Sequence, residues 1–287
     1  MSIGLRSHHV FPNVLDASRG LLIDACRHLT QLGTNYVVVG GWVPVLRCKH
    51  DTLAHPGTKD VDILLNDQSS RLEDAVQALL AANYLPSAKH PFQLLKRLTI
   101  QGQNGAPNRE FVFNVDLMHP SEEGKRPDMF QDIMDLHIFE NYDPGRVLIK
   151  SIAFPSSAIV FEENLWSTVE VQSRDMGNER VNIPLLNEAG LILSKCDSVR
   201  KKKRERDAFD IYYALTASNG DAIAMQTRLL GQRFPQVQRQ LDLLKDFITG
   251  KGKSTFNSNV LQFIKSNSTP TEPATVVSGL LFESRPS

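Results

Sequence analysis

Leu15, Leu21, Leu22, Ala25, Leu29 and Leu32 recur at three- and four-residue spacing between Val14 and Leu32, which predicts an amphipathic helix closed by Gly33. The β-branched run Tyr36-Val37-Val38-Val39 predicts a short buried strand that ends at Gly40-Gly41, and Val61-Asp62-Ile63-Leu64-Leu65 predicts a second. Ser69-Ser70 open a helix reaching about Ala82, with Glu73 three residues after Ser70 as a capping box. Leu94 to Ile100 and Phe111 to Met118 read as strands on either side of the turn-forming GQNGAPNRE, and so as a hairpin.

From Pro120 to Pro155 turn formers interrupt short strand-like pieces such as Val147-Leu148-Ile149, which predicts an irregular excursion. Thr168 to Val171 and Val181 to Ile183 predict two more strands. A strong helix is expected to begin near Pro184, carrying Leu185, Leu186, Ala189, Leu191, Ile192 and Leu193 and running into the basic stretch Arg200 to Arg206. A further helix, Asp207 to Ala217, should stop at Asn219-Gly220, and two polar-faced helices should follow before Gly250. After Ser266 the chain is rich in Ser, Thr and Pro and is expected to be disordered.

Composition narrows the class. The 287 residues are 41% hydrophobic and 22% charged, which fits a globular protein with a sizeable core and excludes a fibrous or disordered chain. Basic and acidic residues balance at 32 each, so no global field draws the protein to nucleic acid or a membrane, and any basic patch is local. Cys26, Cys48 and Cys196 lie far apart without a CxxC, which argues against a disulfide framework and fits a reducing compartment. The opening residues hold no apolar stretch of signal-peptide length, and no segment approaches the roughly 20 apolar residues of a bilayer span, so a soluble cytoplasmic protein without a membrane partner is expected.

The chemistry concentrates in VVVGGWVPVLR and GTKDVDILL. Asp60 and Asp62 stand two apart at a strand start, where alternation puts both carboxylates on one face about 6.6 Å apart along the chain. Two hard oxygen ligands at that spacing suit Mg²⁺; the alternative is an edge strand whose polar face meets water. Asp116 sits between apolar neighbours on a second predicted strand, where an acid is costly unless paired or bound to a cation. Gly40-Gly41 could turn its N–H groups to phosphates, or be a plain strand-to-helix turn. It lacks the third glycine of a dinucleotide fingerprint and the Gly-Lys-Ser/Thr end of a P-loop.

Strand, Gly-Gly, helix, Thr58-Lys59-Asp60-Val61-Asp62-Ile63-Leu64 and a later Val115-Asp116-Leu117 together resemble the DNA polymerase β-like nucleotidyltransferase superfamily. The resemblance implies an α/β fold, a minimal nucleotidyltransferase core of mixed sheet and flanking helices over residues 1–155. A mostly helical part over 156–265 would close the cleft, and a disordered tail would occupy 266–287. It also implies that Gly40 and Gly41 hold a triphosphate and that Asp60, Asp62 and Asp116 bind Mg²⁺ or Mn²⁺, Asp116 drawing a proton from the attacking hydroxyl.

Downstream, Lys195 on one predicted helix and Arg206-Asp207-Ala208-Phe209-Asp210-Ile211-Tyr212 on the next look like the AbiEii-type toxin nucleotidyltransferases and their relatives. By that resemblance Lys195 would contact nucleotide phosphates and Asp207 would support the catalytic centre, both in the cleft that holds Asp60. The implied reaction moves a nucleoside monophosphate from an NTP to an RNA, protein or small-molecule acceptor. The rival reading is a catalytically silent nucleotide-binding or interaction protein with the same fold.

Three features stand outside this pattern. Trp42 and Pro44 follow the glycines where the family places small or hydroxyl residues. His55, alone in a loop, is expected to be solvated. Arg200 to Arg206 carries six basic residues in seven and reads as a solvated helix end, a phosphate or RNA contact, or a nuclear import signal.

Overall fold

The computed structural model describes residues 9–66, 69–87, 90, 92–120, 152–154, 157–173, 175–176, 178–202, 204–264 and 271–283. In chain order the elements are β1 (Val10–Phe11), α1 (Val14–Gln31), β2 (Tyr36–Val39), α2 (Trp42–Arg47), β3 (Val61–Leu65), α3 (Ser69–Ala81), β4 (Leu85–Pro86), β5 (Gln93–Ile100), β6 (Arg109–Pro120) and β7 (Ile152–Phe154). They continue with α4 (Ala158–Glu162), β8 (Trp166–Ser173), β9 (Glu179–Leu186), α5 (Glu188–Ser198), α6 (Glu205–Leu215), α7 (Gly220–Arg233), α8 (Pro235–Thr249), α9 (Lys253–Leu261) and α10 (Pro273–Phe282). The architecture is α/β: a mixed sheet with flanking helices, then a mostly helical C-terminal half. The excursion expected between Pro120 and Pro155 falls almost wholly outside the described residues.

Two compact units interleave along the chain. The first comprises residues 1–39, 57–161 and 167–185; the second comprises 40–56, 162–166 and 186–287. In the first, nine strands among the described residues form one sheet in the order β1-β5-β6-β3-β2-β9-β8, with β4 on β5 and β7 on β6. Strands β2 and β3 run antiparallel, β3 and β6 parallel, and β5 and β6 form the predicted hairpin. Strand β3 therefore lies between β2 and β6, which rules out the edge-strand alternative for Asp62. Interior position also explains the unbroken apolar runs: Tyr36, Val37, Val38 and Val39 are all buried. Helix α1 starts on Asn13, whose side chain accepts hydrogen bonds from the Leu15 and Asp16 N–H groups at 2.9 and 3.0 Å.

The second unit is built from α2 and α5 to α10. Helix α8 buries Val237, Leu241, Leu244 and Ile248, a stripe at three- and four-residue spacing. Helix α10 occupies part of the stretch expected to be disordered, because Ala274, Val277 and Leu281 recur on one face and are buried. The helix expected near Pro184 starts later. Pro184, Leu185 and Leu186 belong to β9, where Leu185 pairs with Val38, and Asn187 caps α5 by accepting the Gly190 N–H at 2.8 Å. Among the described residues no helix is long and apolar enough to cross a membrane.

Candidate functional site

Two groups of side chains carry the residues singled out above, one in each unit. In the first unit, Asp62 on β3 is the register partner of Asp116 on β6, and Asp116 in turn lies opposite Gln93 on β5. Partners in neighbouring parallel strands point to the same side of the sheet, so Asp62 and Asp116 share a face. Both are half-buried, while Asp60, just ahead of β3, is exposed. The Asn114 amide donates to Asp116 Oδ1 at 2.9 Å. Burial raises the Asp116 pKa above the ordinary carboxylate value, and the negative charge of Asp60 adds to the rise against the lowering effect of the Asn114 hydrogen bond.

The donor set suits a hard divalent cation, since all three side chains offer carboxylate oxygen and a cation would offset the desolvation and repulsion at Asp116. Among the described residues, however, no three His, Cys, Asp or Glu side chains are gathered tightly enough to form a metal-ligand cluster. The cysteines bring no alternative chemistry. All three are buried, and burial pushes the Cys26 and Cys48 thiols up to about 12, so neither is a thiolate at neutral pH.

Gly40 and Gly41 begin the second unit's first segment. Gly40 has φ +71°, a backbone that L side chains resist, and its carbonyl accepts the Val43 N–H at 3.2 Å. Gly41 has φ −67° and caps α2, a helix of six residues, without a side-chain hydrogen bond. The expected strand-to-helix turn is thus present. Trp42, Val43 and Pro44 are buried, and Pro44 fits because it lies in the first turn, where its missing N–H has no helical acceptor.

Helices α5 and α6 bring Lys195 and Asp207 together. Lys195 Nζ lies 2.6 Å from Asp207 Oδ1 and 3.5 Å from Asp210 Oδ2, with side-chain exposures of 14%, 5% and 1%. Lys195 is therefore not a solvated helix position. Asp207 is not the helix cap either: Arg204 occupies that position, and Asp207 sits in the first turn. Asp207 is buried, and Asp210, one turn further along α6, is wholly so.

His55 is the residue the sequence reading missed. Its side chain is 4% exposed, and its Nε2 lies 3.1 Å from Asp210 Oδ1. The ring packs against Phe209 and Tyr213, with centroids 5.6 and 5.2 Å away. Arg206 completes the group, its Nε 3.6 Å from Asp210 Oδ1. Burial pulls the His55 pKa below the ordinary imidazole value, although Asp210 opposes the change. For Asp210, burial pushes upward, but the His55 hydrogen bond and the charges of Lys195 and Arg206 outweigh it and hold the carboxyl below its usual range. The one clue in the sequence is Asp210 itself, an acid on the apolar face of α6 that needs buried partners. Of the basic stretch, Arg200, Lys201, Lys202 and Arg204 are exposed, as a solvated turn would be, whereas Arg206 joins the buried group.

No protein-family model matches the chain, and no curated protein sequence matches it. Solved structures similar to it include an antigenic nucleotidyltransferase-like protein from Paracoccidioides brasiliensis, at 11% identity and a TM-score of 0.38, covering 79% of this chain and 93% of that one.

Proposed function

We propose that the protein is a metal-dependent nucleotidyltransferase that moves a nucleoside monophosphate from an NTP to an RNA, protein or small-molecule acceptor. The observation that supports this reading best is the pairing of Asp62 with Asp116 in register on two interior strands, next to Asp60. Burial and the charge of Asp60 make ionising Asp116 costly, a burden that a bound cation would offset. Asp60, Asp62 and Asp116 would hold Mg²⁺ or Mn²⁺. When bound, the metal supplies charge neutralisation and alignment for an in-line displacement at phosphorus. Asp116, with its raised pKa, is the carboxylate best suited to take a proton from the acceptor hydroxyl. Gly40 and Gly41 would bind triphosphate through backbone N–H groups, and Lys195 would contact phosphate, a role suited to a compact cation.

The test is incubation of the purified chain with each labelled NTP, Mg²⁺ or Mn²⁺, and RNA or protein acceptors. Labelled acceptor with release of pyrophosphate supports transfer. Nucleotide binding without turnover supports the silent binding protein instead, a reading favoured by the close hold of Asp207 and Asp210 on the Lys195 ammonium.

Lys195→Ala is expected to weaken NTP binding by roughly 1.5–3 kcal/mol, the scale of a charge-assisted hydrogen bond. Mn²⁺ binding, followed by electron paramagnetic resonance, should change little, because Asp60, Asp62 and Asp116 remain. Unchanged nucleotide affinity in this variant would remove Lys195 from the site.

A further inference from the structure

We propose that His55 is a positioning residue for Lys195 and acts through Asp210. The inference rests on the reading of Lys195 as the phosphate contact and assigns the residue that sets its orientation. At neutral pH a carboxylate only accepts, so the hydrogen bond at 3.1 Å has His55 Nε2–H donating to Asp210 Oδ1. That bond fixes the rotation of the Asp210 carboxylate. Its other oxygen, Oδ2, faces Lys195 Nζ at 3.5 Å, while Asp207 Oδ1 takes the same ammonium at 2.6 Å. Lys195 is thus held between two carboxylates, and the farther one is aimed by His55.

The groups facing His55 are Asp210, Arg206, Phe209 and Tyr213 from α6 and Lys195 from α5. Both ring contacts are aromatic, Phe209 tilted at 43° and Tyr213 edge-on at 71°, and they leave the imidazole little freedom to turn. Two nearby cations, Lys195 and Arg206, resist a third positive charge, and burial acts in the same direction. His55 is therefore neutral at pH 7 and gains a proton only on acidification. Protonation then places a full charge one carboxylate away from Lys195, and the Lys195 environment changes with it.

A merely structural histidine would act through ring packing, and two substitutions separate the roles. His55→Phe keeps an aromatic ring against Phe209 and Tyr213 and loses the donor. His55→Gln keeps an N–H donor, loses the ring and does not titrate. The Lys195 Cε resonance, followed in protein with ¹³C-labelled lysine and assigned with Lys195→Arg, requires no nucleotide. In the unsubstituted protein it should move with the same midpoint as the His55 ring resonance; in His55→Gln that inflection should vanish. At pH 7 His55→Phe should displace the Lys195 resonance and weaken NTP binding about ten-fold, the size of one net hydrogen bond, while His55→Gln restores most of the affinity.

Independence of the Lys195 resonance from the His55 titration in the unsubstituted protein would overturn the proposal, whether or not either variant folds. So would an equal displacement of the Lys195 resonance at pH 7 in the two variants, or full affinity in His55→Phe. If the resonances behave as expected but the unsubstituted protein binds no NTP, the nucleotide reading fails while the coupling of His55 to Lys195 stands.

Discussion

Asp62→Asn is expected to lower transfer activity by about 10² to 10³, the scale of losing one preorganised charge-stabilising group, with the thermal midpoint unchanged or raised. The two effects separate because the residue is proposed to serve a bound cation and is a burden without one. Asp62 lies on an interior strand beside Asp116, whose pKa is raised first by burial and then by the charge of Asp60. The sign follows from linkage. A carboxyl with a higher pKa folded than unfolded binds more protons in the folded state, so stability falls as pH rises from the unfolded value near 3.9 through the folded one, and stays lower above it. Asparagine at position 62 is nearly isosteric and removes one negative charge from the group. Melting curves between pH 4 and 8, with and without Mg²⁺, and a transfer assay check both halves. A substantially lower midpoint together with full specific activity in the folded fraction would make Asp62 a structural residue.

The largest loss of stability is expected from Asp24→Ala, roughly 3–5 kcal/mol in urea unfolding at pH 7, the range for removing one partner of a buried ion pair. Asp24 is wholly buried on α1. Its Oδ1 lies 2.5 Å from Arg27 Nη2 and 3.7 Å from His28 Nε2, and its Oδ2 accepts the Tyr84 hydroxyl at 2.9 Å, with Lys96 Nζ at 3.8 Å. Alanine would leave the Tyr84 hydroxyl without that acceptor and Lys96 without its nearby carboxylate. Burial already pulls the Lys96 pKa down, and Asp24 is what opposes it. Arg27 retains Glu179 at 2.8 Å, which keeps the loss from growing further. The double change Asp24→Leu with Lys96→Met should cost less than Asp24→Ala, because it removes the charges together. A single-variant loss below about 1 kcal/mol would show that water reaches the network.

Legibility in the sequence followed the range of the interactions. Strands β2 and β3 were readable because they are interior and, Asp62 apart, apolar, and α1 because its periodicity is long. The start of α5 was misread at Pro184: the preference of proline for a first helical turn and the leucines beyond it mimic a helix, whereas those leucines complete β9 by pairing with a strand far upstream. Helix α10 escaped notice because its short apolar stripe follows Ser, Thr and Pro, which dominate a compositional reading. Asp60, Asp62 and Asp116 were picked out by residue type and spacing, and Lys195 and Asp207 through the family resemblance. His55 was not, since its partner Asp210 is 155 positions away and no local pattern marks a loop histidine as buried.

The interleaving of the two units also sets an order of events during synthesis. Residues 40–56 leave the sheet unit at Gly40, with φ +71°, and the chain re-enters it at Gly57, with φ +84°. Within them, α2 packs on α5 and α6, the His50 ring nitrogen bonds the Tyr213 carbonyl at 2.7 Å, and Lys49 O accepts the Ser218 N–H at 3.1 Å. Every one of those partners is made much later. At about 5–20 residues per second, Trp42, Val43 and Cys48 wait roughly ten to thirty seconds on the ribosome before residues 186–218 exist to cover them. Through that interval the α2 segment is without the two helices it packs on, α5 and α6.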